Sequence, residues 1–171
     1  LAMITSAVNP DQRFGHNHSL KDKVVVAEYS DPNPVKVLHA GHLYTSIVGD
    51  SIANLLEASG ATVHRVNYGG DVGRHVAITM WSMIQKLGGE SPEKLADVDE
   101  SARAEWMAEC YIEGTNAFED DEAAKAAILE INKRVYDLHA NGDHESAFAQ
   151  LYWTTRQWSY DYFTQFYNRI G

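Results

Sequence analysis

The amino-acid sequence predicts an α/β fold: a parallel strand–helix–strand unit followed by an all-helical segment. Three observations predict it. Val24, Val25, Val26 and Ala27 form a short, β-branched apolar run. Leu43, Ile47, Val48, Ile52, Leu55 and Leu56 then recur at spacings of three and four, and Thr62 to Asn67 resumes a strand pattern. Beyond residue 90 only helical periods remain.

Taken in order, residues 1–22 show no clean period, and Gly15 to Ser19 reads as a loop. The nearly continuous apolar run from Lys23 to Ser30 suits a central parallel strand buried on both faces. Asp31-Pro32-Asn33-Pro34 ends it, because each proline restricts the residue before it to extended conformations. The helix opening before Leu43 ends at Gly60, a natural position for the left-handed residue that terminates a helix. A strand–helix–strand unit of this kind is right-handed and parallel, with its binding site at the carboxyl end of the first strand. After the glycine-rich turn Tyr68 to Gly73, a helix is expected to Leu87, stopped by Gly88-Gly89. Ser91-Pro92-Glu93 is a helix-start signal, with a cap, a first-position proline and an early acid. Further helices are expected over about 100–118, 121–140 and 143–169. The last carries an aromatic stripe (Phe148, Leu151, Tyr152, Thr155, Trp158, Tyr162, Phe166) that reads as core. Sheets usually hold about five or six strands, so a two-strand unit is expected to be a fragment whose remaining strands lie downstream.

Composition narrows the function. The net charge of −10 argues against a broad nucleic-acid surface, since phosphate binding relies on lysine and arginine. Lys21, Lys23 and Lys36 form at most a local patch. Neither a spanning apolar run nor a signal-type leader is seen, which leads to a soluble, cytoplasmic reading with no membrane partner. Cys110 is the single cysteine, which rules out an internal disulfide and argues against a cysteine-based zinc site.

Everything chemically unusual falls in the loop after the first strand and the start of the next helix: Glu28, Asp31, Asn33, Lys36, His39, Gly41 and His42. Gly41 has no Cβ to hold a ligand away from the backbone. His39 and His42 are three apart at a helix entrance, where free N–H groups and positive potential favour phosphate. Two imidazoles donating there would stabilise charge on a pentavalent phosphorus. Lys36 would add a point charge. Glu28 and Asp31 would repel phosphate and suit a cationic group at the other end of a ligand. Two plainer readings compete: a His-x-x-His pair that binds metal, and a structural pair at a helix start. No cysteine and no third histidine lies nearby, and His16 and His18 could reach the pair only by folding back, so no metal site is expected.

His39-Ala40-Gly41-His42 resembles the "HIGH" signature of class I aminoacyl-tRNA synthetases. The longer string Val25 to Pro34, Lys36, and Ile47-Val48-Gly49-Asp50 resembles the arginyl-tRNA synthetase version, as does the turn Asn67 to Gly73. The tail Leu151 to Gly171 is similar to the helical connective segment of that family. The resemblance implies that residues 1–89 are the first half of a Rossmann-like nucleotide-binding catalytic domain and that 90–171 are a helical connective insertion. It implies ATP-dependent activation of L-arginine and transfer to tRNA(Arg), with Mg2+ accompanying ATP and a monomeric full-length enzyme. By the same resemblance Glu28 holds the substrate guanidinium, and Asn33, with Asp31, fixes the amino acid. His39 and His42 contact the ATP phosphates, Lys36 neutralises phosphate charge, and Gly41 gives the nucleoside close access to backbone.

Some residues depart from the family pattern. Asp31 stands where serine is usual, Tyr44 where arginine is common, and Val72 in place of a frequent tryptophan. Arg74-His75 replaces a Thr-Gln-like pair, and no KMSKS-like lysine motif is present. The isolated chain is therefore expected to have little aminoacylation activity, with most tRNA contacts in regions outside it. Two alternatives are kept: a His-x-Gly-His nucleotidyltransferase and a noncatalytic helical interaction module.

Overall fold

A computed structural model of the chain describes residues 14–170; the reading of residues 1–13 as unpatterned lies outside that range. The chain divides into two compact units. The first comprises residues up to Asp31 together with Ala40–Tyr68, and the second comprises Pro32–His39 together with Gly69 onward. Compactness thus groups the helix after Gly73 with the later helices, whereas the change in sequence pattern falls near residue 90.

In the first unit, strand β1 (Val24–Glu28) pairs in parallel with β2 (Thr62–Val66), and helix α1 (Ala40–Ala58) connects them. The register runs from Val24 opposite Thr62 to Glu28 opposite Val66. As expected, Gly60 ends the helix with a φ of 97°, a value that glycine adopts without steric cost.

Two expectations for this unit are corrected. Strand β1 is not buried on both faces: Val24 and Val26 are 69% and 65% exposed, while Val25, Ala27 and Tyr29 are half-buried. Within the unit a single helix covers a two-stranded sheet, so one face stays open. The apolar stripe of α1 is not its packed face either. Leu43, Ile47, Val48, Ile52 and Leu55 are exposed, and the residues that bury are Ser46 and Ala53. These small side chains, with Gly49, form a second stripe at helical spacing that lets the helix approach the strands closely. The Tyr29 ring lies so near Gly49 that a Cβ there would overlap it. Gly49→Ala is expected to destabilise the unit by about 1–3 kcal/mol through overpacking. Thermal unfolding checks this, and adding Tyr29→Ala should remove most of the incremental loss.

Polar ties reinforce the arrangement. From β2, Arg65 donates to Glu57 at 2.6 Å, to Asn54 at 2.7 Å and to Asp50 at 3.2 Å. Asp50 also accepts from the Tyr29 hydroxyl at 3.1 Å. Burial alone would raise the Asp50 carboxyl, but the hydrogen bonds from Arg65, Tyr29 and Asn54 outweigh it and hold the group below its usual range.

The second unit contains α2 (Arg74–Leu87), short 3-10 turns at Pro92–Asp97 and Glu100–Ala102, α3 (Arg103–Asp120), α4 (Glu122–Asn141) and α5 (Ala147–Ile170). The signal at Ser91-Pro92-Glu93 therefore starts a 3-10 turn rather than an α-helix. The other helices fall close to their predicted ranges. Asp121 caps α4 by accepting from the Ala123 and Ala124 amides. Met80 and Met83 from α2, Cys110 from α3, Ile128 and Val135 from α4, and Leu151 from α5 are fully buried. The aromatic stripe of α5 is core from Phe148 through Trp158. It continues through Phe163, with Tyr162 and Phe166 only half-buried. Burial pushes the Cys110 thiol up to about 12, so it is an inert core residue.

Candidate active site

In the first unit, Glu28, Tyr29, Ser30 and Asp31 leave the carboxyl end of β1 and line a shallow groove of about 320 Å³ with Tyr44, Thr45, Val48 and Gly49 of α1. The chain turns sharply here. Ser30 and Asp31 have φ values of 76° and 48°, a region costing roughly 1–3 kcal/mol per non-glycine residue unless neighbours hold it. Neighbours do hold it. The Tyr68 amide donates to the Asp31 carboxylate at 2.7 Å, joining the chain beyond β1 to the chain beyond β2. The Ser30 hydroxyl sits 2.8 Å from that of Ser46, which in turn donates to the His42 carbonyl at 2.7 Å. Asp31, expected to help bind a substrate, thus already serves as a backbone acceptor. Glu28 is exposed, and among the described residues no hydrogen bond or ion pair engages its carboxylate.

The remaining predicted residues occupy two stretches. Segment 32–39 belongs to the second unit, with Pro32, Pro34 and Val35 buried and Asn33 half-buried. The Val35 amide donates to the Ser159 hydroxyl at 2.8 Å. Lys36 Nζ lies 4.3 Å from the centroid of the Tyr111 ring on α3. His39 closes this segment and is exposed. Gly41 and His42 lie in the first turn of α1, in the first unit, with His42 half-buried. That turn carries no acidic side chain, and the positive end of a helix dipole favours an anion. Structure thus gathers Glu28 and Asp31 in one groove, and Asn33, Lys36 and His39 on one short segment. Among the described residues no group of three or more His, Cys, Asp or Glu is placed to hold a metal ion, and no helix is long and apolar enough to cross a membrane.

A family model described as the catalytic domain of class I tRNA synthetases (R) matches residues 3–170. The chain belongs to this synthetase family. It is 32% identical to an arginine–tRNA ligase of Flavobacterium psychrophilum, over 97% of this chain and 29% of that protein. A second such ligase, of Bdellovibrio bacteriovorus, is 29% identical over 86% of the chain and 24% of its own length. A probable cytoplasmic arginine–tRNA ligase of Schizosaccharomyces pombe reaches 48% over 39% of the chain and 11% of that protein. The chain spans less than a third of the length of these relatives. A crystal structure of the Plasmodium falciparum arginyl-tRNA synthetase overlaps 78% of the chain and 24% of its own, with a TM-score of 0.41 and 24% identity, too loosely to add to the assignment.

Within this synthetase chain, sequence reasoning missed the residues that hold the glycine-rich turn. Asp71 Oδ2 accepts from Arg156 Nε at 2.8 Å, and its carbonyl accepts from the Tyr152 hydroxyl at 2.8 Å. His139 Nε2 lies 2.7 Å from that hydroxyl. The Gly70 carbonyl lies 2.8 Å from His75 Nε2, which must carry a proton because a carbonyl only accepts. Arg156 and Tyr152 lie 85 and 81 positions from Asp71, so no local motif announces them. The departures from the family pattern acquire local roles: His75 braces the turn, Val72 packs against the core, and Arg74 lies over Phe118 at 5.4 Å.

A pH prediction follows from His75. Burial holds its imidazole below the ordinary value of 6.5, the Gly70 contact opposes this, and the charge of Lys36 lowers it further. The folded state therefore prefers neutral His75, while the unfolded chain takes up a proton near 6.5. Stability is full above that pH and is lost as pH falls below it toward the folded value. The urea midpoint of the helical unit is expected to fall as pH drops below about 6.5, and His75→Gln should flatten that fall. The carboxylates held low in this unit (Asp99, Glu113 and Asp143) keep their stabilising effect throughout the His75 transition and lose it only as pH falls below the ordinary carboxylate range.

Proposed function

We propose that this chain supplies the amino-acid and ATP-phosphate groups of an arginine–tRNA ligase, and that the whole protein charges tRNA(Arg) with L-arginine. The observation that carries this reading is the match of residues 3–170 to the synthetase catalytic domain. In the proposed reaction an arginine carboxylate oxygen attacks the α-phosphorus of ATP, the bond to the β-phosphate oxygen breaks, and pyrophosphate leaves. A ribose hydroxyl of tRNA then attacks the acyl carbon, and AMP leaves.

Each residue's part follows from its chemistry. Glu28, whose carboxylate has no partner among the described residues, offers two oxygens to the guanidinium, which a carboxylate pairs with better than any neutral group. Asn33 and Asp31 shape the loop that carries the amino acid. His39 and His42 are assigned as donors to the phosphate oxygens, where negative charge builds, and Lys36 as a point charge that offsets it; a helix N-terminus such as that of α1 favours an anion. Gly41 leaves the backbone open to the nucleoside. Mg2+ is proposed to arrive with ATP on the phosphate oxygens, as part of the substrate. Residues 1–89 are assigned to the first half of the nucleotide-binding domain and 90–171 to its helical connective segment. Most tRNA contacts are assigned elsewhere in a protein proposed to be cytoplasmic and monomeric, since the chain itself is acidic.

Calorimetric titration of the chain with a nonhydrolysable arginyl-adenylate analogue tests the reading, with lysyl and glutamyl analogues as controls. Selective arginyl binding is expected. Equal binding of all three would withdraw the arginine assignment, and binding of none would withdraw the claim that this chain holds the pocket.

A further inference from the structure

Lys36 is held at both ends by the helical unit. Its backbone is fixed by the buried Pro34 and Val35, whose amide reaches Ser159 at 2.8 Å. Its ammonium lies over the face of Tyr111, 4.3 Å from the ring centroid. Tyr111 itself packs against the buried core, so the platform is rigid. Among the described residues no carboxylate pairs with Lys36, although other lysines of the unit have such partners, as Lys86 does with Glu113 at 2.9 Å. The difference matters chemically. A carboxylate would hold the ammonium and cancel its charge. An aromatic face attracts the cation through the ring quadrupole and leaves the net charge intact. It also removes rotamer freedom that a lysine otherwise loses on meeting its ligand.

We propose that Tyr111 is a positioning residue, which presents an unneutralised Lys36 ammonium to the phosphates of ATP. The proposal rests on the reading of Lys36 as a phosphate-neutralising group given above. Tyr111 is assigned no contact with substrate, so its effect on ATP binding is expected to pass through Lys36.

Two measurements on the chain test it. In NMR spectra the Lys36 ε-methylene resonances are expected to be displaced by the ring current. The displacement should be kept in Tyr111→Phe and abolished in Tyr111→Leu. Ordinary lysine shifts in the unsubstituted chain would overturn the proposal. In calorimetric titration with ATP, Tyr111→Leu is expected to weaken binding about three- to tenfold, and Tyr111→Phe to restore it to within about twofold. Thermal midpoints of the two variants should first be shown to match, so that packing loss is excluded. If Lys36→Met weakens ATP binding and Tyr111→Leu does not, the inference fails while the reading of Lys36 stands. If ATP fails to bind, or binds Lys36→Met as well as the unsubstituted chain, the reading of Lys36 fails and the inference falls with it.

Discussion

Glu28→Gln is expected to reduce affinity for an arginyl-adenylate analogue by about 10- to 100-fold, with little change in the fold. The substitution preserves side-chain size and leaves the groove beside Tyr44 and Val48 in place. What it removes is the negative charge, and with it the paired acceptance of two guanidinium N–H groups proposed for this carboxylate. Hydrogen bonds to charged groups contribute about 1.5–3 kcal/mol, which corresponds to that range of affinity. Because Glu28 has no partner among the described residues, no internal contact is broken and the melting temperature should stay within experimental scatter. Asp31→Asn is the contrasting control: it retains an acceptor for the Tyr68 amide and should cost less affinity. Calorimetry on both variants checks the prediction. An affinity for the analogue unaffected by Glu28→Gln would mean that the guanidinium is bound elsewhere.

The largest structural effect is expected at Gly114→Val. Gly114 sits on α3 against α2, where a Cβ would run into the Ile78 carbonyl and approach its Cγ2 to 2.9 Å. The first of these neighbours is backbone and cannot rotate away, so the helices must separate. Separation would open the layer in which Met80 and Met83 are fully buried. The expected loss is about 3 kcal/mol, against total stabilities of about 5–15 kcal/mol for domains in general. Gly114→Ala should give an intermediate loss. Urea unfolding followed by circular dichroism reads both, and unchanged midpoints would show that α2 and α3 are not locked at this crossing.

The candidate site was legible to the extent that its chemistry is local. Charged and imidazole groups crowded between a strand run and a helix run are visible in a sequence because strand, loop and helix entrance are consecutive. Sequence reading treated Asp31 and Lys36 as ligand groups. Structure gives each a partner within the chain, the Tyr68 amide and the Tyr111 ring, 37 and 75 positions away. Arg156, Tyr152 and His75, which brace the glycine-rich turn, were missed because each looks like an ordinary helix residue until α5 and α2 are packed.

By itself the sequence determined the order of the elements and the type of all but the 3-10 turn at Pro92–Asp97. Parallel strands around a helix follow from the apolar runs and their periods. The stops at Gly60 and Gly88 follow from the freedom of glycine to take positive φ, 97° and 71° here. The His-x-Gly-His placement at the head of α1 follows from the spacing alone. Tertiary structure decided which face of α1 meets the sheet: the small residues Ser46, Gly49 and Ala53 prevailed over the larger apolar stripe, because close approach to Tyr29 needs little side-chain volume. It also decided the long-range pairs Val35 with Ser159, Asp71 with Arg156 and Lys36 with Tyr111. Periodicity and capping act over a few residues of chain, whereas these pairs depend on how whole helices pack, and packing is set by volume and shape across the unit.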